Sequence, residues 1–180
     1  MNERFVAQGT DLQRALAEAS QAPDEAPYGM PGRFYWDEQH FDRERHTVLR
    51  KGWHCVARAD ELANTGDFLT LTLLDEPIII VRRDHAIAAL SNVCRHRGMP
   101  LAKGSGHAAR FVCPYHACTY GLDGKLLRAS RMQNAGFDPQ TCHLPEFHCV
   151  ERFGFVYVSL ADTTPDIDAE LAGLDTLITP

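Results

Sequence analysis

The chain has 180 residues, 44% hydrophobic and 23% charged, with a formal net charge of −6 at pH 7. A chain of this size buries roughly 70% of its unfolded surface, so an ordinary domain with some extra elements folds without disulfides. The acidic balance and the lack of a long basic run argue against a nucleic-acid partner. The longest apolar run, EPIIIV at 76–81, is strand-sized and far short of the roughly 18 residues of a membrane span.

The N-terminal MNERFVAQGTDLQRALAEAS carries acidic residues and no apolar core, unlike a targeting leader, so the expected location is cytoplasmic with no membrane partner. Within it, Thr10 or Asp11 is placed to cap a short helix over LQRALAEAS, where Leu12, Ala15, Leu16 and Ala19 recur at helical spacing. QAPDEAPYGMPG at 21–32 holds three prolines and two glycines and reads as an extended linker. Asp37 then caps a second helix in DEQHFDRERHTVLRKG, with Phe41, Val48 and Leu49 as expected buried positions and Gly52 as its stop.

From Trp53 the texture becomes β. WHCVA, DFLTLTLL, PIIIVRR, AIAALSNV, ARFVC, GKLLRA and GFVYVSL are short β-branched or aromatic runs, separated by the turn signals TGD, LDEP, RRDH, KGSG and LDG. Seven such strands predict a mainly β, small antiparallel sandwich or barrel-like domain over 53–160. In TTPDIDAELAGLDTL, Asp166 is placed to cap a last helix, with Gly173 near its end; the chain then stops at LITP, which reads as a cut rather than a finished terminus.

Six cysteines in a chain read as cytosolic point to metal or redox use before disulfides. Cys55, Cys118, Cys142 and Cys149 have no patterned partners and are expected as small buried apolar side chains. Cys94 and Cys113 differ. They belong to Cys94-x-His96 and, after sixteen intervening residues, Cys113-x-x-His116, each pair following a strand beside Gly98, Pro100 or Pro114. Two thiolates and two imidazoles suit a tetrahedral zinc, or a [2Fe–2S] cluster in which two His replace two Cys on one iron. Zinc sites usually pair Cys with Cys on one turn and His with His on a helix. Here each loop supplies one of each, which lets one iron take both Cys and the other both His.

CRHRG followed by CPYHACTYGLDG resembles the Rieske domain of Rieske-type non-haem iron oxygenases, the large subunits of ring-hydroxylating dioxygenases and related N-demethylating monooxygenases. PGRFY, RKGWHCVARADEL, GDFLTLTLLDEPIIIVR, MQNAGFD and FGFVYVSL resemble the flanking blocks of those subunits. The resemblance implies a Rieske-type β-sandwich at 53–160, an N-terminal helical extension at 1–52, and at 161–180 the start of a link to a catalytic domain. It implies that Cys94 and Cys113 ligate an inner iron, with His96 and His116 on an outer one. It further implies a mononuclear Fe(II) in a C-terminal domain outside this chain, a reductase or ferredoxin as electron donor, and a homo-oligomer, a trimer, for the whole protein. Respiratory Rieske proteins carry a disulfide cysteine in each loop; Met99 and Tyr115 stand there instead, which favours the oxygenase kind. The family usually has Trp where this chain has Cys118. MQNAGFDPQTCHLPEF is closer to carnitine-, choline- or betaine-type monooxygenases than to naphthalene-type dioxygenases. The alternatives are a self-contained Rieske ferredoxin, which would not need the N-terminal extension, and a structural zinc module.

His143 and His148, with Glu146 or Glu151, imitate a two-His, one-carboxylate iron site, but Pro145 interrupts them and the run leads into a strand. His40 and His46 are expected solvated, and His54, His85 and His107 unpatterned. Arg95, Arg97, Lys103 and Arg110 have two open readings: a basic dock for an acidic electron donor, or pairing with internal carboxylates.

Overall fold

A computed structural model describes residues 32–129 and 138–178, together with Arg14, Ala15, Ala17 and Gln21. The chain divides into two compact units, 1–46 and 47–180. Arg14, Ala15 and Ala17 are helical; the rest of the first predicted helix, most of the linker after it and MQNAGF at 132–137 lie outside the described residues.

Helix α1 (Glu38–Thr47) starts where expected, with Asp37 Oδ1 accepting the His40 N–H at 2.9 Å. Of the three expected buried positions, Leu49 is half-buried, whereas Phe41 and Val48 are 54% and 63% exposed. Phe41 is the only large apolar side chain in EQHFDRERHT, so the helix has no stripe to bury. His40, expected in solvent, is instead half-buried, edge-on to Phe34 and 3.3 Å from Glu44.

Among its described residues the second unit holds ten strands rather than seven: β1 (His54–Arg58), β2 (Asp67–Leu73), β3 (Glu76–Arg83), β4 (Ala86–Ser91), β5 (Ser105–His107), β6 (Phe111–Val112), β7 (Thr119–Tyr120), β8 (Leu126–Arg128), β9 (Glu146–Arg152) and β10 (Phe155–Ser159). The three additions had weak signals. SGH is polar and exposed, TY is two residues long, and EFHCVER alternates with charge. A seven-stranded sheet runs β1-β10-β9-β4-β3-β2-β5 and a three-stranded one β6-β7-β8, all neighbours antiparallel.

The run IIIV explains the centre. Side chains alternate faces along a strand, so Ile78 and Ile80 enter one core with Ile87, Ala89, Val156 and Val158, while Ile79 and Val81 enter another with Ala88, Leu90, Phe111 and Tyr120. A strand buried on both faces reads as continuous rather than alternating apolar sequence. The second of these cores also contains Cys94, Cys113 and Cys118, so the paired loops are seated on the packed face of β3 and β4. Cys118 is buried as expected; Cys55 is exposed on edge strand β1, and Cys142 and Cys149 are only partly covered.

After β10, Asp166 caps α2 (Ile167–Glu170), accepting from Asp168 N–H at 3.1 Å. Gly173 follows at φ +87°, and a second short helix, α3 (Asp175–Ile178), comes after it. Among the described residues no helix is long and apolar enough to cross a membrane.

Candidate metal centre

The first loop leaves β4 and turns back on itself. Cys94 N–H donates to Met99 O and Gly98 N–H to Cys94 O, both at 2.9 Å, with Val93 bridged to Pro100. Gly98 takes φ +70°, a conformation that costs an L side chain energy. The second loop is the tip of the β6–β7 hairpin. The pairs Phe111↔Tyr120 and Val112↔Thr119 continue to Cys113, whose N–H donates to Cys118 O at 2.8 Å, while Ala117 closes the tip at φ +57°.

These loops sort the four predicted residues by type. Cys94 and Cys113 are 2% and 3% exposed. His96 and His116 are half-buried, their rings edge-to-face with centroids 4.8 Å apart, and Tyr115 lies against His116 at 3.8 Å. Among the described residues no three His, Cys, Asp or Glu groups converge as they would round a single ion. The arrangement is two pairs, thiols inside and imidazoles outward.

Sequence reasoning missed Tyr120. It is 1% exposed, its hydroxyl accepts from Arg95 N–H at 3.1 Å, and it lies 3.5 Å from Cys94 Sγ, so from the strand that follows the second loop it holds the first. The available signal was its place two residues after Cys118, the spacing that puts side chains of extended backbone on the same side. Burial opposes ionisation of Cys94. The Tyr120 hydroxyl, the His96 backbone N–H and the thiols of Cys113 and Cys118 outweigh that and bring Cys94 below its ordinary value. Burial and then the charge of Cys94 push Cys118 up to about 11. Burial and the Cys94 sulfur also raise the Tyr120 hydroxyl, which stays protonated and able to donate.

The other candidates scatter. His143 Nδ1 accepts from Leu126 N–H at 3.1 Å, Glu146 pairs with Arg83 at 2.7 Å, and Glu151 with Arg82 at 2.9 Å. His148 is exposed on β9 and His85 in a turn, His46 lies beside Asp42, His54 bonds Leu49 O, and His107 pairs with Asp67 at 3.0 Å. Arg95, Arg97, Lys103 and Arg110 are exposed, and among the described residues no carboxylate pairs with them, against the internal-pairing reading.

A small antiparallel β unit carrying two Cys–His loops on its packed face defines the class. Residues 52–149 match the Rieske [2Fe-2S] domain, and the chain belongs to that family. It is 39% identical over 155 residues to the carnitine monooxygenase oxygenase subunit of Escherichia coli (strain K12), covering 84% of this chain and 41% of the relative. It is 40% identical over 155 residues to the glycine betaine monooxygenase oxygenase subunit of Chromohalobacter salexigens, covering 85% of this chain and 35% of the relative. Its fold is similar to the apo form of the quaternary ammonium Rieske monooxygenase CntA, with TM-score 0.78 and 34% identity over 83% of this chain and 44% of that one. The chain therefore spans less than half the length of these relatives.

Proposed function

We propose that Cys94 and Cys113 hold the inner iron and His96 and His116 the outer iron of a [2Fe–2S] cluster, and that the chain is the electron-relay segment of an oxygenase large subunit. The observation that carries this is the sorting of donors, two thiols buried together and two imidazole rings 4.8 Å apart at the surface. When bound, such a cluster supplies one-electron transfer at a potential above that of four-thiolate clusters.

The residues of the chain do the rest. Cys94 and Cys113 would hold the cluster at the buried end, where the Tyr120 hydroxyl is placed to donate to Cys94 Sγ. His96 and His116, both half-buried, would carry the site toward the surface, where a donor or acceptor can come close. The exposed Arg95, Arg97, Lys103 and Arg110 next to the ligands in sequence suit an acidic reductase or ferredoxin.

The domain division of this reading is an extension at 1–52, the cluster domain at 53–160, and a link at 161–180 toward a catalytic domain with a mononuclear Fe(II) that activates O₂. The whole protein acts in the cytoplasm as a homo-oligomer, a trimer. Its substrate is a quaternary amine rather than an aromatic ring, which the carnitine and glycine betaine relatives support.

Absorption and low-temperature EPR of the purified chain, with iron and zinc quantified, test the site. A coloured protein with two irons and a signal after dithionite is expected. A colourless, EPR-silent protein with stoichiometric zinc overturns the reading. The oxygenase assignment is tested on the full reading frame, by demethylation or hydroxylation of carnitine, glycine betaine and choline with a reductase present.

A further inference from the structure

The run AIAALS of β4 is followed by Asn92, a polar residue that is nonetheless only 6% exposed. A buried carboxamide must spend its donors and acceptors inside the protein. This one spends them on a single stretch of chain. Its Oδ1 accepts from the N–H groups of Leu101 and Ala102, each at 3.0 Å, and its Nδ2 donates to Ala102 O at 2.9 Å. Its backbone N–H donates to Pro77 O at 2.8 Å, which ties it to β3. Residues 93–100 lie between the two ends joined in this way, and they carry Cys94 and His96.

We propose that Asn92 is a positioning residue for the first ligand loop, closing its neck so that Cys94 and His96 stay in register with Cys113 and His116. This rests on the ligand set proposed above. Tyr120 holds the loop from within, at Arg95 N–H; Asn92 holds it at the base. The role needs a carboxamide, with a donor and a two-fold acceptor on one short stem. An Asp keeps both acceptor contacts but sets a carboxylate against Ala102 O. A Leu fills the volume and leaves two N–H groups and a carbonyl without partners. With the neck open, the loop must be ordered at the moment of cluster binding, so the ligands are held less firmly.

The test uses the purified chain as wild type, Asn92→Asp and Asn92→Leu, with Val158→Ala in the opposite core as a control for general destabilisation. Cluster bleaching is followed under excess iron chelator at a temperature where circular dichroism shows every variant folded. Amide hydrogen exchange at Leu101 and Ala102 is measured on cluster-free chains. Both Asn92 variants should bleach about tenfold faster or more and exchange faster at those two amides, while Val158→Ala, with a comparable loss of Tm, does neither. Bleaching no faster than in Val158→Ala, with exchange unchanged, overturns the proposal. A wild-type chain that takes up no cluster overturns the ligand set instead, and hydrogen exchange then decides separately whether Asn92 orders the loop. Asn92→Asp is the milder change and serves if Asn92→Leu does not fold.

Discussion

Replacing Tyr120 by Phe removes one oxygen from the centre of the site and leaves the ring packed among Leu90, Phe111 and Cys118. The lost oxygen accepts from Arg95 N–H at 3.1 Å and faces Cys94 Sγ at 3.5 Å. An N–H left without a partner costs about 1–3 kcal/mol. At roughly 3 °C per kcal/mol for a unit of this size, Tm should fall by about 3–9 °C. The second contact concerns charge. A donor aimed at the sulfur of a proposed ligand favours the reduced, more negative state, and losing about 0.5–1.5 kcal/mol of that preference lowers a one-electron potential by about 20–65 mV, at about 59 mV per tenfold. Optical redox titration of the cluster-loaded chain, beside thermal unfolding by circular dichroism, reads both effects. A midpoint potential equal to wild type with a lowered Tm would refute the electrostatic half, reducing Tyr120 to a packing residue.

Asp67 is held below the ordinary carboxylate range, chiefly by its hydrogen bond with His107 and then by Asn64 N–H. A depressed folded value gives stability that is full above about pH 3.9 and lost as pH falls through the folded value. Asp67→Asn should therefore be less stable than wild type at neutral pH and converge with it in acid; a gap in urea midpoints that persists at the lowest pH refutes this. Gly66 sits at φ +96° with Ala108 O only 2.7 Å from where a Cβ would lie, so Gly66→Ala should lose about 2 kcal/mol or more in denaturant titration. Ala117 is the opposite case: at φ +57° it is strained, and Ala117→Gly should keep or raise Tm, by up to about 1 kcal/mol of stability. Neutralising Lys103 and Arg110 should flatten the salt dependence of reduction by the physiological donor. An unchanged salt dependence in both single mutants removes the docking role.

The seven stronger strands, the turns between them and the two Cys–His loops were legible because each rests on local pattern: β-branched runs, turn residues and fixed ligand spacing. The signal failed where an element lacks a pattern of its own. β5 is held in the sheet by pairing with β2, and β7 by pairing with β6 and β8, although neither could be recognised as a strand alone. Phe41 and Val48 failed for the converse reason, since apolar side chains predict burial only when enough of them share a face.

At the site the division is similar. Sequence spacing named Cys94, His96, Cys113 and His116 as a set with two metals open to it. That the thiols lie inward together, that the imidazoles face each other at the rim, and that Tyr120 and Asn92 brace the loop came only from tertiary structure. A ligand motif is written in neighbouring residues, so a chain can be read for it. The hydrogen bond that Tyr120 accepts from Arg95 N–H, twenty-five residues earlier, depends on how two sheets pack, and no local pattern encodes that distance.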